Sequence, residues 1–108
     1  MKVDYKTQPI TFYRIYCVDK NVTISYIGST TNIDTREARH KHNCTNPSCE
    51  CYNYEVYKLI RRHKGWKNWT MVPIETKYFK NKEEANKREL YWINHFESEM
   101  NSNNPHPK

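Results

Sequence analysis

One hundred and eight residues leave room for one domain. Leu, Ile, Val and Phe make up only 18 of them against a net charge of +6, a balance at which disorder competes with folding, but nine Tyr and three Trp oppose it because their rings bury large areas while keeping a polar tip. No apolar run approaches the roughly 20 residues that cross a bilayer, and the polar opening MKVDYKTQPI is not a signal peptide, so residues 1–108 read as one intracellular, soluble domain, ordered over about 11–105.

In chain order, Thr11 to Val18 is rich in aromatic and β-branched residues and reads as a strand. Asp19-Lys20-Asn21 supplies turn chemistry, and Val22 to Ile27 reads as the second strand of an antiparallel hairpin that Gly28-Ser29 ends. Asn32 caps a helix from Ile33 to about His42, with Asp34 in its first turn. A loop over residues 43–53 follows. Val56, Leu59, Ile60 and His63 then recur at helical spacing in a helix over 55–63, with Gly65 as its C-terminal cap. Trp69 to Thr76 reads as a third strand, which Pro73 confines to an edge or marks with a bulge. Asn81, with Glu84 three residues on, opens the last helix, Lys82 to about Glu97. The expected fold is α/β: a three-stranded antiparallel sheet flanked by helices.

Two polar groups interrupt faces that should be apolar. In the last helix, Ala85, Trp92, Ile93 and Phe96 form the inward stripe, and Glu89 completes its spacing. A carboxylate there is costly unless it is paired or binds a metal. In the first helix, Ile33, Arg36, Glu37 and His40 share a face, so the side expected to meet the sheet carries a guanidinium and an imidazole.

The charge is concentrated. Between Arg36 and Lys67 stand eight basic residues against three acidic ones, which is the footprint of a polyanion partner or else a solvated helix face. His40, His42, Cys44, Cys49 and Cys51 make a candidate zinc set, although they lack the paired C-x₂₋₄-C and H-x₃₋₅-H knuckles of structural sites. Without a secretory signal the four cysteines are expected as thiols.

Arg14-Ile15-Tyr16 followed by Tyr26-Ile27-Gly28-Ser29 resembles the paired tripeptides of the GIY-YIG nucleases. Arg36 with His40, the basic segment YKLIRRHKGW, Glu89 in ELYWI, and Met100-Asn101 with Pro105 beyond follow in the family's order. The segments HNC and YNYEVYKLIRRHKGW are similar to small free-standing members of large DNA viruses. The resemblance implies an endonuclease hydrolysing phosphodiester bonds in DNA with one divalent cation, Mg²⁺ or Mn²⁺, bound by Glu89. It implies that Arg36 neutralises the phosphate, that Tyr16 is the general base, that Tyr26 and His40 position water and phosphate, and that Gly28 and Asn101 are structural. Arg14 departs from the family's Gly, and strand alternation puts it beside Tyr16, where it contacts phosphate or crowds the site. With Arg14, the basic side chains of Arg39, Lys58, Arg61, Arg62, Lys64 and Lys67 are the expected DNA contacts. Contacts to phosphate position a protein without selecting sequence, so specificity is expected to be weak, or supplied by a separate partner or a homodimer. Two further readings stand beside the nuclease: a nucleic-acid-binding module that keeps the fold without cutting, and a zinc-held interaction module over residues 40–51.

Overall fold

The alternation of TFYRIYC produces a strand with two unlike faces, and that strand becomes the centre of the sheet. In the computed structural model, which describes residues 3–102, β1 spans Ile10–Cys17, β2 Ser25–Thr30 and β3 Trp69–Lys77. The sheet is antiparallel in the order β2-β1-β3. Pro73 therefore lies on an edge strand, where its missing N–H costs nothing. The register also shifts between Phe12 and Tyr13, which oppose Glu75 and Pro73, so the strand carries both an edge position and a bulge.

Helix α1 covers Ile33–Thr45, α2 Glu55–Arg62, α3 Lys82–His95 and α4 Glu99–Ser102. The side chain of Asn32 accepts from Thr35 N–H at 3.1 Å and that of Asn81 from Glu84 N–H at 3.0 Å, so both expected caps form. The ends of α2 and α3 follow one rule. Gly65 N–H reaches Ile60 C=O at 2.9 Å, and Ser98 N–H reaches Ile93 C=O at 3.0 Å. In each case the residue before the donor is left-handed and is not glycine: Lys64 at φ 78° and Glu97 at φ 50°. Gly65 stands one place beyond the capping position that the sequence assigns to it.

The second strand differs most from expectation. It starts at Ser25, three residues after Val22, because Val22 and Ile24 pack against the core from within the hairpin loop rather than from a ladder. Asp19 tightens that loop by accepting from Asn21 N–H at 2.9 Å.

Register then decides which residues share a face. Tyr13 opposes Gly28 and Ile15 opposes Tyr26, whereas Arg14 opposes Ile27 and Tyr16 opposes Ser25. Tyr13, Ile15, Cys17 and Tyr26 join Cys44, Val56, Tyr57, Ile60 and Met100 in the core beneath α1 and α2. The other face carries Ile10, Phe12 and Ile27 toward α3, where Ala85 is buried. Among the described residues no helix is long and apolar enough to cross a membrane.

Candidate functional site

The polar face of α1 is the start of the site. His40 is 3% exposed, and each of its ring nitrogens meets a phenol. Nε2 lies 2.7 Å from Tyr13 Oη, and Nδ1 lies 2.7 Å from Tyr57 Oη. Arg36, one turn earlier, donates from Nε to Tyr13 Oη at 3.4 Å, and Asn43 Nδ2 donates to Tyr57 Oη at 3.3 Å. The result is a continuous chain Arg36–Tyr13–His40–Tyr57–Asn43, buried over its three central members and half-buried at both ends. Tyr26 sets its ring edge-on to His40, with centroids 6.1 Å apart, and Trp66 stacks on the imidazole at 6.2 Å. A polar network is tolerable in a core when its members find partners, which explains why the first helix presents Arg and His to the sheet.

Gly28 makes room for this chain. A Cβ at that position would overlap the Oη and Cζ of Tyr13 directly across the strand pair, so its role here is close approach rather than unusual backbone geometry.

Burial pushes the Tyr13 hydroxyl above its ordinary range, against the pull of Arg36. Burial does the same to Tyr57, opposed by the Asn43 hydrogen bond. For Arg36, burial acts downward, but contact with Tyr13 outweighs it and holds the guanidinium charged.

Tyr16 is not part of this cluster. It stands opposite Ser25, on the α3 side of the sheet, one strand position out of phase with Tyr26. Arg14 shares that side, with its guanidinium packed between the rings of Tyr16 at 5.0 Å and Phe96 at 4.7 Å. The structure thus gathers Tyr26, Arg36 and His40 as the sequence leads one to expect, and puts Tyr13 where Tyr16 was expected. Tyr57 was missed altogether, since it reads as one more aromatic in an amphipathic helix. No signal in the sequence separated Tyr13 from Tyr16, because which of them shares a face with Tyr26 depends on the hairpin register, in which Ile15 opposes Tyr26.

Glu89 approaches β2 from the other side. It is 6% exposed, and Ser29 Oγ donates to its Oε1 at 2.7 Å. Its stripe on α3 is therefore inward, as its spacing demands. β2 is an edge strand, with the polar chain on one of its faces and Glu89 on the other. Asn101 closes part of the same edge: its Oδ1 accepts from Ile27 N–H at 2.7 Å and its Nδ2 donates to Ile27 C=O at 2.8 Å. That amide pair is a structural role in the literal sense, holding α4 against the strand.

The donor chemistry at Glu89 suits a hard cation. Mg²⁺ is commonly held by one or two carboxylates and keeps several waters, and a hydroxyl donating to one carboxylate oxygen orients the ligand. Among the described residues no group of three or more His, Cys, Asp or Glu side chains gathers as a structural zinc would need. Cys44 is buried with its thiol against Tyr57 C=O at 4.0 Å, and Cys49 donates to Asn43 Oδ1 at 3.0 Å. Burial also raises the Cys44 thiol, against the opposing pull of Arg61, which disfavours the thiolate that zinc requires.

The expected DNA contacts divide. Arg39, Arg62, Lys64 and Lys67 are exposed. Lys58 is exposed with Glu55 at 3.8 Å. Arg61 is committed to structure: it donates to Cys44 C=O at 2.9 Å and Tyr52 C=O at 2.7 Å, and stacks on the Tyr52 ring at 3.6 Å. Arg14 is likewise held within the fold, its Nε buried without an acceptor.

No curated protein and no solved structure matches the chain. The sequence does match the GIY-YIG catalytic domain over residues 9–104. That span contains both strands of the hairpin, the polar face of α1 and the inward carboxylate of α3, and the chain belongs to the GIY-YIG family of nucleases.

Proposed function

We propose that the protein is an endonuclease that hydrolyses phosphodiester bonds in DNA with a divalent cation, Mg²⁺ or Mn²⁺, held at Glu89. The observation that carries this reading is the hydrogen-bonded chain from half-buried Arg36 through buried Tyr13 and His40 to Tyr57, packed against the edge strand that Glu89 reaches from its other side.

In this reading Tyr13 takes the role that the resemblance assigns to Tyr16, that of general base for the attacking water. Burial favours the neutral phenol, so Tyr13 takes a proton from water only as its own O–H proton passes to His40 Nε2, with Arg36 Nε donating to the oxygen. A neutral imidazole donates at one nitrogen and accepts at the other. If Nδ1–H donates to Tyr57 Oη, then Nε2 is free to accept from Tyr13, so the hydroxyl of Tyr57 sets the tautomer that supports the base. Tyr57 is thus a positioning residue. Tyr13 is wholly buried, with Arg36 as its donor, and its phenol meets water once Arg36 turns to the phosphate. Substrate binding and exposure of the base are coupled in this way. The planar guanidinium suits two non-bridging oxygens at once, and Tyr26 stands beside it to orient water or phosphate. When bound, the cation supplies Lewis-acid polarisation of the phosphate and charge for the departing 3′ oxygen.

Arg14 in place of glycine supports the non-cleaving alternative only if it intrudes on the site. Its guanidinium packs against Tyr16 and Phe96, away from Tyr13, so it does not crowd the proposed base, while it shares the α3 side of the sheet with Glu89. Arg39, Arg62, Lys64 and Lys67 are the side chains proposed to meet phosphates, with weak sequence preference and salt-sensitive binding as the consequence.

Supercoiled plasmid incubated with Mg²⁺ or Mn²⁺ tests the proposal. The wild type is expected to nick it and chelator to stop it, while Glu89→Ala loses on the order of 10³-fold in rate. Wild-type protein that leaves the plasmid intact in both metals would overturn it.

A further inference from the structure

The basic segment over residues 36–67 does not exhaust the positive surface. At the far end of β3, residues 77–80 turn back toward α3 and leave an open groove of about 810 Å³. Its charged lining is Lys6, Lys77, Lys80, Lys87 and Arg88 against one acid, Glu84. Two phenols stand in the same groove, and both face water: Tyr78 is 59% exposed and Tyr91 47%. Exposed large aromatics are uncommon in a chain that has so few apolar residues to bury, and these two line the groove together with the amines.

The groove has a rigid floor. Arg88 donates to both carboxylate oxygens of Glu75, at 2.8 and 2.9 Å, and Trp92 Nε1 adds a third bond to Glu75 at 3.1 Å. The guanidinium so fixed lies 4.4 Å from the Tyr91 ring centroid and holds that ring from below. Lys87 faces Glu83 at 3.9 Å, with both side chains about three-quarters exposed, a pair that solvent screens and that a stronger anion displaces readily. On α3 the positions 84, 87, 88 and 91 are one helical stripe, next to the inward stripe that carries Glu89.

Amines beside exposed rings, one of them held by Arg88, match a single polynucleotide strand. Its phosphates meet the ammonium groups, and its unpaired bases have faces free to stack. A duplex would use the lysines but leave the phenols idle, because its base faces are already stacked. We propose that this groove, at the β3 edge of the sheet and opposite the β2 edge that Glu89 reaches, binds a single-stranded segment of nucleic acid. The inference rests on the nuclease reading for the identity of the polyanion, and on the groove itself for strandedness.

Fluorescence anisotropy of labelled oligothymidylate, beside a duplex of the same length, tests it. Tyr78→Ala and Tyr91→Ala are each expected to weaken the single strand about tenfold and to leave duplex affinity within about twofold, while Tyr91→Phe retains wild-type binding. Lys80→Gln combined with Lys87→Gln is expected to reduce the salt slope by about 0.7 per phosphate contact removed. Far-ultraviolet circular dichroism checks that the variants fold, which their exposure favours. Oligothymidylate affinity unchanged in both Tyr→Ala variants would overturn the proposal, as would displacement by polyglutamate at equal charge, which would reduce the groove to plain electrostatics. Glu89→Ala is expected to keep oligothymidylate binding. Loss of binding in the tyrosine variants, with no plasmid nicking by the wild type, would retain the groove and refute the nuclease.

Discussion

The two faces of the sheet solve the burial of polar groups in opposite ways. On the α1 side, Tyr13, His40 and Tyr57 form a chain with 2.7 Å links, held inside an aromatic core and fed at its ends by Arg36 and Asn43. On the α3 side the charges sit in separate smaller groups, Ser29 with Glu89 and Glu75 with Arg88 and Trp92, and Arg14 Nε is left without an acceptor. A continuous network holds its groups in one arrangement, whereas separate groups respond to substitution one at a time. In the proposed reading, proton chemistry and cation binding fall to different layers of the molecule, with the edge strand β2 as the boundary between them.

The largest expected effect sets the two strand tyrosines against each other. Tyr13→Phe should lower plasmid-nicking rates by roughly 10²- to 10⁴-fold, the usual contribution of a general base, while Tyr16→Phe should stay within about threefold of wild type. The reverse ranking would return the catalytic phenol to the α3 face and break the comparison. Gly28→Ala comes next. The added methyl meets the Tyr13 phenol, and overpacking of this kind costs about 1–3 kcal/mol. Urea unfolding should show that loss, and nicking should fall with it because the displaced group is the base.

Alkaline pH sharpens the same contrast. Burial raises the hydroxyls of Tyr13 and Tyr57 above the ordinary tyrosine value, so above about pH 10 the folded state holds protons that the unfolded chain releases. The stability they contribute is complete below that pH and declines as pH rises toward the folded values, at up to about 1.4 kcal/mol per pH unit for each phenol. Urea midpoints measured across that range should fall for the wild type and fall less for Tyr13→Phe. Arg14→Met should have the smallest effect. It removes a buried Nε without an acceptor and retains an apolar stem between Tyr16 and Phe96. Its stability should lie within about 1 kcal/mol of wild type, with nicking unchanged; a large loss of activity would show that Arg14 itself contributes to catalysis on the side that carries Glu89.

Much of this molecule follows from local pattern. Asn32 and Asn81 start helices because a side-chain oxygen can satisfy the first free N–H groups, and Pro73 lies at an edge because it cannot donate to a ladder. Glu89 falls on an inward stripe by spacing alone, and Arg36 with His40 shares a helix face for the same reason. These are short-range constraints, and the chain carries them within a few residues of each position. The hairpin register is different. Val22 and Ile24 look like strand residues, yet the core takes them into a loop, and β2 begins later than its composition indicates. One step of register moves every side chain to the opposite face, so whether Tyr13 or Tyr16 meets His40 was decided only when the strands paired. The same holds for Tyr57, whose hydroxyl gains meaning from an imidazole 17 residues away in sequence, and for Arg61, whose charge is taken up by two carbonyls. Residue types and helix faces were legible in the order of the amino acids; which phenols, carbonyls and amines became partners depended on contacts between segments far apart in the chain, where packing and strand pairing choose among side chains that composition alone leaves equivalent.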